Sequence, residues 1–406
     1  MACPYWRFSC VNEIWKSENK GNTVIYLDNS ATTRPFDSVI EKTVSCMRDT
    51  YFNASAAYKP AVDVDREIRA CRKLIAFQLG AKEDEVYFTA GGTESDNLAI
   101  LGYAETLHKP MNFVCSAIEH PAVSDTIRRV EKMGHTVREL PINSRGLVDL
   151  VAAEALIDEN TALVSCMQVS NETGAIQPVE QLAALARRKN PDVRIHVDGV
   201  QGFMRVPMHM GKAGVDMYAL SGHKIHGPKG VGALIVRKGI RLAPQTTGGG
   251  QEKNLRSGTY NSHGILALGE AVREMAARQE QIAAMRNLKA KIWMRLSRLD
   301  GVHVNGPLPD NPDSAPHILS LSFDGVRGEV MRNALEGAGI LVSTGSACAS
   351  HKQKVSATLK AMGLTAEQAD GTIRVSLGLY NTMEEMEETA AQMEKMFALL
   401  ARYRRR

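Results

Sequence analysis

No apolar run in this 406-residue chain approaches the roughly 18 to 20 residues that a membrane-crossing helix needs. The opening Met-Ala-Cys-Pro-Tyr-Trp-Arg-Phe-Ser-Cys also lacks the continuous apolar core of a secretory signal. A membrane protein is therefore excluded, and a cytoplasmic location is expected. The seven cysteines are odd in number and contain no Cys-x-x-Cys pair, which argues against both a disulfide framework and a zinc knuckle. Internal repeats and low-complexity segments are absent. A formal charge of +4 leaves little field for nucleic acid. The basic end, Arg402 and Arg404 to Arg406, reads as a solvated terminus that complements a helix dipole. With 44% hydrophobic and 23% charged residues, what remains is an ordinary globular chain long enough for two domains.

The pattern that is present is alternation. Strand-like runs at 24–27, 86–89, 113–116, 136–139, 162–167, 194–197 and 217–220 are interleaved with helical spacing at 36–49, 62–79, 98–108, 123–133, 150–158 and 179–188. Such a rhythm implies an α/β fold with a mostly parallel sheet sandwiched by helices, whose ligands bind beyond the carboxyl ends of the strands. A long helical pattern over 265–299 leads towards a second, smaller α+β region, with strands at 318–323 and 372–377 and helices at 329–337 and 383–402. The expected division is an amino-terminal extension over 1–23, a large domain over 35–280, and a small domain assembled from 24–34 and 281–406.

Chemistry-bearing residues gather where strands end. The run Ser221-Gly222-His223-Lys224 closes a buried strand with a tight turn. A lysine held there, partly desolvated, can form a Schiff base, whereas an exposed one stays protonated. Asp198 ends its strand 26 residues earlier, and a buried carboxylate beside such a lysine is the pairing that pyridoxal phosphate requires. An aspartate capping the next helix is the lesser alternative from local sequence. Gly91-Gly92-Thr93 sits between strand and helix, an arrangement that cradles phosphate or simply turns the chain. His120 suits stacking or proton relay, or a structural hydrogen bond. Arg374 places a guanidinium on a short strand, suited to a carboxylate or to solvent. Among the cysteines, Cys46, Cys71, Cys115 and Cys166 lie in apolar runs and read as core, and Cys3 and Cys10 fall in the extension. Only Cys348 occupies a polar small-residue loop where a reactive thiolate is useful.

In order and approximate spacing, these motifs resemble the cysteine desulfurases of the nitrogen-fixation and iron–sulfur-cluster type, within the class V aminotransferase-like enzymes. The segments that carry the likeness are Asn29-Ser-Ala-Thr-Thr33, Gly92 to Asn97, Glu119-His120, Asn171 to Gly174, His196 to Asp198, Ser221 to Lys224, Arg256 to Thr259, Gly345 to Cys348 and Ile373-Arg374. The resemblance spans about 24–382. It implies a fold-type I, homodimeric, pyridoxal 5'-phosphate enzyme that converts L-cysteine to L-alanine. Lys224 would carry the cofactor, Gly92, Thr93, Ser221, Gly222 and His223 would hold its phosphate, and Thr259 would reach in from the partner subunit. Asp198 and Gln201 would contact the ring, His120 would stack on it, and Asn29, Asn171 and Arg374 would bind substrate. Cys348 would take the sulfur as a persulfide and pass it to an acceptor protein, for iron–sulfur assembly or thiolation. A selenocysteine lyase, another class V enzyme or a catalytically altered sulfur-handling protein would share these motifs. Two departures stand out. Ala54 and Tyr58 replace the family's usual Pro and His in the Asn53 to Tyr58 loop, and the chain ends at Arg406 without the extended tail that grips a scaffold partner.

Overall fold

A computed structural model describes residues 24–345 and 356–401. In chain order the strands are β1 (Ile25–Tyr26), β2 (Val86–Thr89), β3 (Asn112–Ser116), β4 (Thr136–Leu140), β5 (Thr161–Ser165), β6 (Arg194–Asp198), β7 (Met217–Ser221), β8 (Gly232–Val236), β9 (Val302–Val304), β10 (Ile318–Phe323), β11 (Ile340–Leu341) and β12 (Thr372–Ser376). Seven of them form one sheet in the order β2-β8-β7-β6-β5-β3-β4, in which only β8 runs against its neighbours. The mostly parallel sheet expected from the alternation is therefore present. Its central strands are buried along their whole length, as they must be when helices cover both faces. A smaller antiparallel sheet, β12-β10-β9, lies apart from it, and β1 pairs in parallel with β11.

Three local expectations are corrected. The strand β8 is hidden in the sequence because its apolar run follows so closely on the glycine turn 227–232. The helix expected from residue 98 begins at Gly92 and runs to Ala104, because the glycine turn itself supplies the first helical residues. The continuous helix expected over 265–299 is two helices, Ser262–Ala277 and Gln279–Leu296, which meet at Arg278 with φ −116° and ψ 25°. Arg278 reaches back to Glu274, satisfying the end of the first helix where the chain turns.

The helix Gly92–Ala104 is buried on nearly every face, with Ser95, Asp96, Leu98 to Gly102 and Ala104 all enclosed. Helices Asp37–Asp49 and Lys59–Leu79 both pack on Ser262–Ala277. At Gly269 an added Cβ would lie 2.3 Å from Cys71 Sγ, so close helix approach requires glycine there. Cys46, Cys71, Cys115 and Cys166 are all core residues, as their apolar contexts imply. Burial pushes the thiol of Cys71 up to about 11 and those of Cys115 and Cys166 upward too, which makes them poor nucleophiles. Among the described residues no helix is long and apolar enough to cross a membrane.

Candidate active site

The strands β2, β3, β5, β6 and β7 run in one direction, and their carboxyl ends present the motif residues on one edge of the sheet. At the end of β2 the chain turns through Gly91, with φ 153°, into the helix at Gly92. A Cβ on Gly92 would stand 2.5 Å from Val200 Cγ2, and one on Gly232 would stand 2.4 Å from the Leu220 carbonyl. No side chain caps this helix, so its first N–H groups are left to whatever occupies the adjoining space. That space is a cavity of about 680 Å³ lined by Ala31, Thr32, Thr93, Ser221, His223 and Lys229, among others. Hydroxyls, an imidazole, open backbone N–H groups and a helix N-terminus make it suited to an anion such as phosphate.

Lys224 closes the short turn Gly222–Lys224 that follows β7. It is not among the lining residues of the cavity. Its Nζ lies 2.6 Å from the Ser30 carbonyl and 2.7 Å from that of Ala31, a residue that does line it. The turn is fixed from the amino-terminal side as well: Thr33 donates its N–H to the His223 carbonyl at 2.9 Å, and His226 N–H donates to Thr33 Oγ1 at 2.7 Å. His223 Nδ1 is 3.2 Å from Thr32 Oγ1. Burial, with help from Lys224, Lys229 and Arg205, lowers the His223 pKa to about 4, so its ring is neutral near pH 7.

Three buried carboxylates, Asp96, Glu119 and Asp198, stand close enough to repel one another. Burial pushes Glu119 up to about 7 and Asp96 well above the ordinary range, with Asp198 and Glu119 adding to the effect on Asp96. Burial raises Asp198 too, but His120, the Val200 N–H at 2.9 Å from Oδ1, and Lys224 oppose it. Burial and its neighbours thus raise both carboxyls, with His120, Val200 and Lys224 favouring charge on Asp198. Asp96 Oδ1 stands 3.3 Å from Nε2 of the buried His196, whose Nδ1 bonds Ser165 Oγ at 2.8 Å. His120 caps the helix Pro121–Lys132 through Nδ1, which accepts from Ala122 N–H at 3.1 Å. The structural reading of this histidine is thus present, and in the neutral ring it assigns the proton to Nε2.

A second group forms around Arg374 on β12, which is only 3% exposed. Its Nη2 donates to Asp28 Oδ1 at 2.8 Å and its Nη1 to the Asn171 carbonyl at 3.0 Å, while the buried Nε has no partner among the described residues. The fork is therefore partly committed to Asp28, a partner that sequence inspection did not identify because it lies 346 residues away. Gly345 is drawn to the same guanidinium, its carbonyl 3.4 Å from Nη1. Ser356, where description resumes, donates from Oγ to Glu172 Oε2 at 2.6 Å. Cys348 itself lies outside the described residues. Both ends of its segment are nevertheless anchored at Asn171, Glu172 and Arg374.

The other expected residues have contacts of their own. Asn29 donates its amide to the carbonyls of Tyr26 and Ser376 at 3.2 and 3.0 Å and meets Asn381 Oδ1 at 3.4 Å. These bonds staple the amino-terminal segment to the end of β12 through the amide nitrogen. Gln201 donates to the Ser30 carbonyl at 2.9 Å, the same oxygen that accepts from Lys224, and its Oε1 is 3.4 Å from His317 Nε2. Thr259 is exposed, on a loop tied to the glycine turn by Arg256 and Glu94 at 2.7 Å. In the altered loop Tyr58 is 53% exposed and packs edge-on against Phe52, with centroids 6.2 Å apart.

An anion cradle, a buried carboxylate and a lysine, all at the carboxyl edge of this sheet, define the fold-type I class of pyridoxal-phosphate enzymes. The donor set fits that cofactor. The chain belongs to the aminotransferase class-V family, whose sequence profile matches residues 25–388, and the family depends on pyridoxal phosphate. It is 39% identical over 386 residues to the cysteine desulfurase IscS of Serratia proteamaculans (strain 568), covering 93% of each chain. A solved NifS-like protein superposes with a TM-score of 0.87 at 37% identity, covering 93% of this chain and 100% of the other. A third relative, SspA, solved in complex with cysteine, gives a TM-score of 0.77 at 31% identity over 89% of this chain and 100% of its own.

Proposed function

We propose that the protein is a cysteine desulfurase, which cleaves sulfur from L-cysteine, releases L-alanine and leaves the sulfur as a persulfide on Cys348. The thiol of the enzyme and the substrate sulfur become one Cys348 persulfide, and the substrate carbon takes up a proton in place of sulfur. Pyridoxal phosphate, when bound, supplies the electron sink for that cleavage. Gly92, Thr93, Ser221, Gly222 and His223 would hold its phosphate, with Thr259 of a second copy completing a homodimer. Asp198 keeps its negative charge for the pyridine nitrogen, with Gln201 at the ring hydroxyl. His120 would lie on the ring, and Lys224 would carry the cofactor and move protons at Nζ. Asn171 and Arg374 would hold the substrate carboxylate.

The observation that carries this reading is that the described residues on either side of the Cys348 segment are tied close to the expected carboxylate binder, Gly345 to Arg374 and Ser356 to Glu172, next to Asn171. In this reading residues 24–34 and 281–406 form the small domain that brings them, and 35–280 the large domain that holds the cofactor. The cell compartment is the cytoplasm, and the sulfur goes to an acceptor protein for iron–sulfur assembly or thiolation. Pure holoenzyme given cysteine should form alanine and, with a thiol reductant, sulfide in equal amounts. Release of pyruvate and ammonia, or inert cysteine, would defeat the proposal.

Arg374→Lys keeps the charge but loses the planar fork that spans Asp28 and the Asn171 carbonyl. Losing a charge-assisted contact in so buried a place should cost on the order of 2 to 4 kcal/mol, or roughly thirty- to several-hundred-fold in kcat/KM for cysteine. The absorbance of bound cofactor without substrate should not change. A kinetic loss below about threefold would place the arginine outside substrate binding.

A further inference from the structure

Arg205 is 5% exposed and makes no ion pair among the described residues. Its Nη2 donates to the carbonyl of Lys224, and its Nη1 is buried without a partner. A buried cation with no counter-charge is costly, and such a group persists in a fold only where its surroundings hold it there. The surroundings here are unusually determined. The turn that delivers Arg205 starts directly after Asp198 and is pressed onto the sheet: a Cβ on Gly199 would fall 1.9 Å from the Tyr218 ring, and one on Gly202 would fall 2.0 Å from Gln168 Oε1. Met204, just before Arg205, has φ 62°, and His226, two residues after Lys224, has φ 60°. Both sides of the Arg205 to Lys224 contact are thus held in the left-handed region that side-chain-bearing residues rarely occupy, a mark of functional constraint.

We propose that Arg205 is a positioning residue for Lys224, pinning its carbonyl so that Nζ is presented at a fixed place, and biasing that nitrogen towards its unprotonated state through a charge that no ion pair neutralises. This rests on Lys224 being the cofactor lysine. Among the groups that face Lys224 are the Ser30 and Ala31 carbonyls, Asp198, His223 and Arg205, and Lys229 acts on His223. Asp198 acts in the opposite direction to Arg205, and it is unchanged when only Arg205 is replaced.

The test is a pH titration of the absorbance of the bound cofactor in holoenzyme carrying Arg205→Met, beside wild type and Arg205→Lys. Removing that cation should raise the midpoint by about one pH unit in the methionine variant, and the lysine variant should recover most of that shift. A purely structural role would lower the melting temperature and leave the midpoint unmoved, and a wild-type midpoint in folded Arg205→Met overturns the proposal. Should the methionine variant fail to fold, Arg205→Gln is the neutral form read in the same way. Peptide mapping of borohydride-reduced wild type tests the assignment of Lys224 separately, so the two failures are distinguishable.

Discussion

Lys224→Ala should abolish turnover of cysteine, with a fall of at least about a thousandfold, to the limit of the alanine assay. The Lys224 Nζ sits on the Ser30 and Ala31 carbonyls, at the end of a turn clamped by Thr33, Arg205 and the close packing of Gly222 against Pro228. The other lysine near the site, Lys229, lines the cavity but is exposed and lies within the glycine turn 227–232, so it is not aimed by the same constraints. Folding should survive, because the substitution removes two hydrogen bonds from a half-buried amine, a net loss on the order of 1 to 3 kcal/mol. Borohydride reduction of wild-type holoenzyme followed by peptide mapping should place the pyridoxyl mass on Lys224. Finding it on Lys229 would move the whole assignment by five residues and leave the Asp198 pairing without its lysine.

What could be read along the chain was whatever repeats locally. Strand and helix alternation, the glycine turn after β2 and the Ser-Gly-His-Lys turn after β7 each depend on neighbours within a few residues, so the parallel sheet and the edge carrying its site were visible in advance. Contacts that cross the chain were not. Nothing near Asp28 marks it as the partner of Arg374, and nothing near Ser30 marks its carbonyl as the shared acceptor of Lys224 and Gln201. Arg205 was invisible for the same reason: its partner is a backbone oxygen, which leaves no trace in residue type. Asn29 belongs with them: its motif gave no sign that its amide nitrogen bonds Tyr26, Ser376 and Asn381. Asp96 and Glu119 were quoted as motif letters without a task, because only the packed site shows that they crowd Asp198.

Cys348→Ala should separate binding from sulfur transfer. The variant should keep its bound cofactor and still respond spectrally to cysteine, because every group assigned to hold either lies elsewhere: Lys224, Asp198 and His223 at the ends of β6 and β7, Arg374 on β12 and Asn171 after β5. Alanine formation should fall by about two to three orders of magnitude, the scale on which removing a covalent nucleophile is felt. No described cysteine can substitute. Cys46, Cys71, Cys115 and Cys166 are buried, and the thiols of the last three are pushed upward by that burial. Cys348→Ser should fare no better than alanine, since a hydroxyl retains the size of the thiol but cannot hold sulfur as a persulfide. Brief exposure of wild type to cysteine followed by trapping with an alkylating agent should place the extra sulfur on the peptide that contains Cys348. If Cys348→Ala formed alanine at the wild-type rate, sulfur would be leaving the site without a protein carrier, and the enzyme would be a lyase.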